Sequence, residues 1–411
     1  MPFLSIIRRR KNWKRSSTRN EALSKEFQIC TRGVWDTSVP GITFDDQGVS
    51  NYCHLMETLM EAYPRGSKGR EIWEALVKKI KSASGNKKYD CIIGVSGGTD
   101  SSYLLYLARE YGLRPLAVNF DNGWSSDIAV KNIKKMTNAL GIDLETYVVN
   151  YDEIKDLNVA YMKSQLPWID MPTDMAIKAV LYKIAAKEKV RFFLRGNDFR
   201  SEGSQPREWT YGDGRQLAYI HEKFGKIKLK TFPNYTISNL LYYSAFRKIK
   251  SVYPYYYLDY NKKSAQQFLQ EKYDWEYYGG HHYENLFTRF VITYWLYEKF
   301  GIDKRKITLS AQIISGEISR EEALSQLSHK PYTEEEKRIF LDFILKKLDL
   351  SQDDFEKLMS MPNKTFLDYP SYYKYVDNLN RFSKPLVKMI FFQKPQSFYQ
   401  SEFRKKTTKK T

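Results

Sequence analysis

Residues 89–112 read YDCIIGVSGGTDSSYLLYLAREYG, and this run restricts what the chain can fold into. Cys91-Ile92-Ile93-Gly94-Val95 is short and apolar, which predicts a strand buried on both faces. Ser96-Gly97-Gly98-Thr99-Asp100-Ser101 is a small-residue loop. From Ser102 to Tyr111, Leu104, Leu105, Leu107 and Ala108 share a helical face, and Gly112 stands where a helix end wants a left-handed residue. A strand, a glycine loop and a helix N-terminus make an anion cradle: glycines let the backbone approach a phosphate, and N–H groups and the helix dipole favour negative charge. The spelling is neither G-x-x-x-x-G-K-[ST], since the lysine is missing, nor G-x-G-x-x-G.

At 411 residues the chain exceeds one typical domain. No apolar run approaches the roughly 20 residues needed to span a bilayer, and Phe3-Leu4-Ser5-Ile6-Ile7 is too short for a signal-peptide core. A soluble cytoplasmic protein is expected. Three cysteines, Cys30, Cys53 and Cys91, form no disulfide framework. The formal net charge is +18, but residues 1–25 carry +7 of it and residues 402–411 carry +4. The basic character therefore sits mainly in tails that read as solvated, and no nucleic-acid partner is expected.

Along the chain, 1–26 reads as a flexible basic arm and 27–68 as a small ribbon-like module. Residues 69–204 read as an α/β core, 205–310 as an aromatic-rich lobe completing it, 311–400 as a helical C-terminal region and 401–411 as a basic tail. In the small module Cys30 and Cys53 stand where a zinc ribbon keeps its outer ligands, but the inner positions are Gly33 and Ser50. Adding His54 still leaves the four-ligand set one short, so no zinc is expected. In the core, helix 69–84 precedes strand 90–95. Strand 115–120, helix 128–140, strand 145–149, helix 174–189 and strand 190–194 follow. Such alternation predicts a doubly wound parallel sheet with its ligands at the C-terminal strand edges.

Candidate residues gather at those edges. After strand two comes Asp121-Asn122-Gly123-Trp124; Asp121 is a candidate to hold magnesium or the nucleotide, or simply part of an Asn-Gly turn. Strand four leads into Gly196-Asn197-Asp198-Phe199-Arg200-Ser201-Glu202, where Gly196 would lie against a base or ribose and Asn197, Asp198, Arg200 and Glu202 would face the site. Thr173 or Asp174 is either the N-cap of the preceding helix or a site residue. The aromatic runs between 205 and 283 read mostly as the core of a helical lobe, with stacking on sugars or bases as the other reading. Within Gly279 to Asn285, His282 and Glu284 are candidates to bind substrate or shuttle a proton ahead of a helix at 286–300. Lys304-Arg305-Lys306 reads as a contact to phosphates. Farther on, Ser319–Glu322 and Thr333–Glu336 read as capping boxes, and Ser351 opens a further helix.

The loop S-G-G-x-D-S resembles the pyrophosphate loop of the ATP pyrophosphatases, which cleave ATP between the α and β phosphates and adenylate an oxygen. The Asp-Asn-Gly at 121–123 is similar to that of GMP synthetase. The ordered set CTRGVWDTSVPGITFDDQGVSNYC, VSGGTDSSY, NFDNGW, RGNDFRSEG and ENLFTRF…FGIDKRK…SGEISREEAL resembles the N-acetyl sugar amidotransferases of surface-polysaccharide and nonulosonic-acid biosynthesis, across about residues 28–328. The resemblance implies ATP and magnesium, with Ser96, Gly97, Gly98, Thr99, Asp100, Ser101, Asn119 and Gly196 on ATP. It implies Asp100, Asp121, Lys304 and Arg305 in catalysis, Asp100 and Asp121 on the metal, and Trp124 with Asn197, Asp198, Arg200, Glu202, His282 and Glu284 on the acceptor.

The implied reaction adenylates the oxygen of an acetamido group on a nucleotide-linked sugar; ammonia then displaces AMP to leave an acetamidine. No cysteine sits at residue 2 or in a Gly-x-Cys-x-Gly setting, so no glutaminase activity is expected of this chain. The resemblance implies separate glutaminase and barrel subunits like those of imidazole-glycerol-phosphate synthase. The chain itself is a possible homodimer. A tRNA-modifying enzyme of the same superfamily and a silent ATP-binding scaffold remain the alternatives.

Overall fold

The computed structural model describes residues 26–280, 282–375, 377 and 390–408; nearly all of the basic arm, His281 and the end of the basic tail lie outside the described residues. Helices α1 (Asn51–Ala62) and α2 (Gly66–Ser84) precede the sheet. Then β1 (Cys91–Val95), α3 (Thr99–Glu110), β2 (Pro115–Asp121), α4 (Asp127–Leu140), β3 (Leu144–Val148), α5 (Tyr151–Ser164), α6 (Met171–Lys187) and β4 (Phe192–Leu194) follow. Helices α7 (Phe199–Glu202), α8 (Arg207–Thr210), α9 (Gly214–Phe224) and α10 (Ile237–Leu241) lead to β5 (Lys250–Val252) and α11 (Lys262–Tyr273). The helical C-terminal region holds α12 (Leu286–Phe290), α13 (Arg305–Ile314), α14 (Arg320–Leu327), α15 (Glu334–Leu348), α16 (Gln352–Ser360) and a last helix, Gln396–Thr408.

Among the described residues five strands form one sheet in the order β3-β2-β1-β4-β5, and each of these pairings is parallel. The chain winds outward from β1 in both directions, so the switch point lies between β1 and β4, where the loops after those strands must diverge and leave a crevice. Alternation along β1 explains the two-sided burial. Ile92 packs with Leu116, Val118, Val180, Ile184 and Phe193, on the α6 side. Cys91, Ile93 and Val95 join Leu104, Leu105 and Ala108, on the α3 side.

The α/β reading of the sequence holds, with local differences that have physical reasons. Helix α6 begins at Met171, with a proline in its first turn, so Thr173 and Asp174 lie inside that turn and neither is the N-cap. Strand β4 is shorter than expected because the Val190 N–H donates to the Ala185 carbonyl and closes the end of α6 instead of joining the ladder. Helix α5 was not anticipated; Asn150 caps it by accepting from the Asp152 and Glu153 N–H groups. Strand β5, only three residues long, carries no periodic signal. The helix expected at 286–300 changes to π-helical geometry over Val291–Lys299. Thr333 and Glu336 form a full capping box, whereas at Ser319 only the hydroxyl half is made.

In the small N-terminal module Cys30 and Cys53 are buried, and burial pushes the Cys53 thiol up to about 12. A Cβ at Gly33 would come 2.8 Å from the Trp35 ring, so the indole fills the space that an inner ribbon cysteine would need. His54 turns to carboxylates: its ring nitrogens lie 2.9 Å from Asp45 and 3.0 Å from Glu57. The Asp45 hydrogen bond chiefly raises the His54 pKa. That stabilisation is complete below the ordinary histidine value of about 6.5 and is lost as pH rises through the raised one. His54→Gln should therefore lower the thermal midpoint slightly at pH 6, and its difference from wild type should shrink at pH 9. A difference that stays constant across that range would exclude the charge as the cause.

Candidate active site at the sheet's C-terminal edge

The loop after β1 is built from its glycines upward. Gly97 has φ +78°, and a Cβ there would sit 2.1 Å from the Ala129 carbonyl, so no other residue fits. Its own carbonyl accepts from Asn132 Nδ2 at 3.3 Å and from the Trp275 indole at 3.2 Å, which fixes the back of the loop. Gly98 is the N-cap of α3 and offers no side chain to the helix's first N–H groups. The Thr99 N–H donates instead to the Tyr278 hydroxyl at 3.2 Å. Ser101 Oγ donates to the Gly98 carbonyl at 3.2 Å and accepts from the Ser96 N–H at 3.3 Å. The result is a helix N-terminus at the switch point whose nearest side chains are the Tyr278 hydroxyl and the Glu284 carboxylate, each 3.1 Å from where a Cβ on Gly98 would lie; the dipole of such an end favours an anion.

Asp100 is gripped from one segment. Lys262 Nζ stands 2.8 Å from its Oδ2, the Tyr260 hydroxyl donates to its Oδ1, and the Tyr255 hydroxyl donates to its carbonyl at 2.7 Å. Tyr255 and Tyr260 stack with ring centroids 3.9 Å apart. Gln266, one turn into α11, donates to Thr99 Oγ1 at 3.2 Å. None of Tyr255, Tyr260, Lys262, Gln266 or Tyr278 was singled out from the sequence. The signal that existed was Asn261-Lys262-Lys263, a helix start with two lysines directly after a tyrosine run.

Other expected residues do approach the loop. A Cβ at Gly196 would lie 3.1 Å from the Asp100 backbone, so this glycine allows β4 to pass the loop itself. Asn197 Nδ2 donates to Glu202 at 3.2 Å. Burial and then the Asp100 charge push Glu202 up to about 7. The Ser96 hydroxyl donates to Glu284 Oε1 at 3.4 Å, and His282 Nδ1 lies 3.7 Å from the same atom. The second oxygen of Glu284 is buried without a hydrogen-bond partner. Asn119 lies on β2 beside the end of β1.

Several expectations are corrected. Asp121 accepts from the Gly123 N–H at 2.8 Å, the Asn-Gly turn that was its other reading. Trp124 is fully buried against Phe287, beneath Lys347 of α15, and has no face to offer an acceptor. Asp198 is buried, caps α7 and pairs with Arg65 at 2.9 Å. Arg200 is buried and donates to the carbonyls of Tyr63 and Tyr256. The basic triplet divides. Arg305 pairs with Asp303 at 2.7 Å and donates to the Gln326 and His329 carbonyls, while Lys306 pairs with Asp36 and ties the N-terminal module to α13.

Lys304 points elsewhere. Its ammonium lies 4.3 Å from the Trp168 ring centroid, and burial pushes it down to about 8. The Trp168 indole donates to Asp174 at 2.8 Å, and Asp170 is buried, accepts from the Thr288 hydroxyl and is pushed up to about 7 by that burial. This second polar group surrounds the N-terminus of α6, which belongs to the same edge of the sheet.

Against known proteins, residues 284–382 match the family model described as LPS biosynthesis protein WbpG-like, C-terminal domain. The uncharacterized protein MJ1599 of Methanocaldococcus jannaschii is 31% identical over 98 residues, 24% of this chain and 35% of that protein. The match thus spans about a third of that relative's length. Among solved structures, the U34-tRNA thiolase NcsA from Methanococcus maripaludis, with its 4Fe-4S cluster, is 16% identical at TM-score 0.27, covering 60% of this chain and 80% of the thiolase. NMN synthetase from Francisella tularensis is 15% identical at TM-score 0.27, covering 55% and 92%. Neither structural likeness bears on the chemistry. Among the described residues no group of three or more His, Cys, Asp or Glu side chains gathers to hold a metal ion, and no helix is long and apolar enough to cross a membrane.

Glu202 supplies a pH test of the site. It is neutral below about pH 7 and charged above, so the loop's surroundings gain negative charge as pH rises. Pyrophosphate affinity in wild type should fall relative to that of Glu202→Gln between pH 6 and 8.5. Parallel curves for the two proteins would remove Glu202 from the loop's electrostatics.

Proposed function

We propose that the chain is an ATP-dependent, AMP-forming amidotransferase of lipopolysaccharide-type surface-polysaccharide biosynthesis, converting the acetamido group of a nucleotide-linked sugar into an acetamidine. The observation that carries the reading is the Ser96–Ser101 loop, seated on an uncapped helix N-terminus at the switch point of a parallel sheet. The match of residues 284–382 to an LPS biosynthesis model supports the biological setting.

An amide oxygen leaves poorly until it is esterified. In the proposed reaction it attacks the α-phosphorus of ATP, the bond to the β-phosphate oxygen breaks, and pyrophosphate leaves. Ammonia then attacks the amide carbon, and AMP departs with the oxygen. The protein's task is to hold two polyanions together and neutralise them with backbone donors and cations, so no covalent nucleophile is required. The Gly97–Thr99 backbone and Ser101 would bind the phosphates, and the second polar group around Trp168, Asp170 and Lys304 would face the acceptor. Ammonia would come from separate glutaminase and barrel subunits.

Magnesium, where it enters with ATP, needs only one or two carboxylates beside the phosphates. Glu284, with a buried oxygen lacking a partner next to Ser96, fits that need better than Asp121, which is tied to its own turn. Bound there, the ion would supply charge neutralisation between phosphate oxygens.

The test is direct. Purified protein with magnesium ATP, high ammonium chloride and a panel of UDP- or CMP-linked acetamido sugars should release AMP and pyrophosphate with one of them. The sugar product should be about one mass unit lighter, as oxygen is replaced by NH. Asp100→Ala and Ser101→Ala should abolish AMP formation in folded protein. AMP release that depends on bulk tRNA and on no sugar would overturn the reading.

A further inference from the structure

We infer that Lys262 is the phosphate-binding lysine of this site, delivered to the loop by α11, and that Asp100 serves to position it. This rests on the ATP reading of the loop. A loop spelled S-G-G-x-D-S carries no cation of its own, yet a pyrophosphate leaving group needs one. The structure brings Lys262 to the loop from 162 residues down the chain, 2.8 Å from Asp100.

Three features point the same way. First, the pair is well enclosed, with side-chain exposures of 15% for Lys262 and 20% for Asp100, so it is only partly screened by solvent. Second, Lys262 is the first residue of a twelve-residue helix capped by Asn261. A lysine there works against the helix dipole, and the Asp100 carboxylate offsets that cost. Third, α11 is aimed at the loop by more than this contact, since Gln266 reaches Thr99 and the stacked Tyr255 and Tyr260 both hold Asp100. The N-termini of α3 and α11 thus converge with the lysine between them. The Lys262–Asp100 pair is neutral, and an arriving polyanion shares the ammonium. Asp100 then sets the direction of the lysine as a positioning residue.

The experiment measures binding rather than turnover. Titration calorimetry of the full chain would follow pyrophosphate, ATP and adenosine separately. Lys262→Met should weaken pyrophosphate and ATP by about tenfold or more, the loss expected of one hydrogen bond to a charged group, and leave adenosine unchanged. Lys262→Arg should recover most of the loss. Lys263→Met alters the neighbouring exposed lysine and should match wild type. Because Lys262→Met leaves the Asp100 charge without its cation, and that charge repels phosphate by itself, the double variant Asp100→Asn with Lys262→Met should still bind pyrophosphate more weakly than Asp100→Asn alone, while keeping the wild-type thermal midpoint. A folded Lys262→Met protein that binds pyrophosphate as wild type does would overturn the assignment and leave the ATP reading standing. Equal losses for adenosine and pyrophosphate would mark a merely structural role and also overturn it. A wild-type chain that binds neither ATP nor pyrophosphate would overturn the ATP reading itself.

Discussion

Asp100 stands in the first turn of α3, and much of the site's geometry depends on how its charge is met. A carboxylate beside an anion cradle would repel the ligand that the cradle is shaped for. Lys262 and the hydroxyl of Tyr260 meet that charge directly. This one requirement makes the tyrosine-rich segment 253–260 part of the site and not only of the core, and it draws α11 against α3. The neighbouring carboxylate Glu202 is raised too, by its burial first and by the Asp100 charge second.

The remaining polar residues divide between chemistry and construction. In sequence Asp198 and Arg200 read as acceptor-binding candidates, Arg305 as catalytic, and Lys306 as part of the basic triplet. In the folded chain each is tied to a partner: Arg65, two backbone carbonyls, Asp303 and Asp36 respectively. Buried charge must be paired, and apart from Arg305 with Asp303 these contacts join segments far apart in the chain. Lys306 is the clearest case, since it clamps the N-terminal module, whose Val34 N–H also donates to Ser310 of α13. The C-terminal region reaches back in the same way, with Lys347 of α15 laid over Trp124 and bonded to Gly123.

The strand-loop-helix unit was legible because its information is local. Apolar alternation, glycines and a helical face occur within about two dozen residues, and the same backbone physics acts on them whatever the rest of the chain does. The α/β class followed for the same reason, from the alternation of short apolar runs with amphipathic helices. What escaped was either short, as in β5, or started by a polar cap without a strong apolar stripe, as in α5.

The sequence by itself determined that a glycine loop leads from β1 into α3 and where it lies: Gly97 takes a positive φ, Gly98 is the N-cap, and both facts reside in adjacent residues. Which cation meets Asp100 was decided only by tertiary structure. Lys304 and Arg305 were as good a choice as Lys262 by composition. The packing of Tyr255 on Tyr260, of α11 on α3, and of Lys304 on Trp168 settled which ammonium meets Asp100. A charge finds its partner through the contacts that carry it there, and those contacts are made between residues that no local pattern relates.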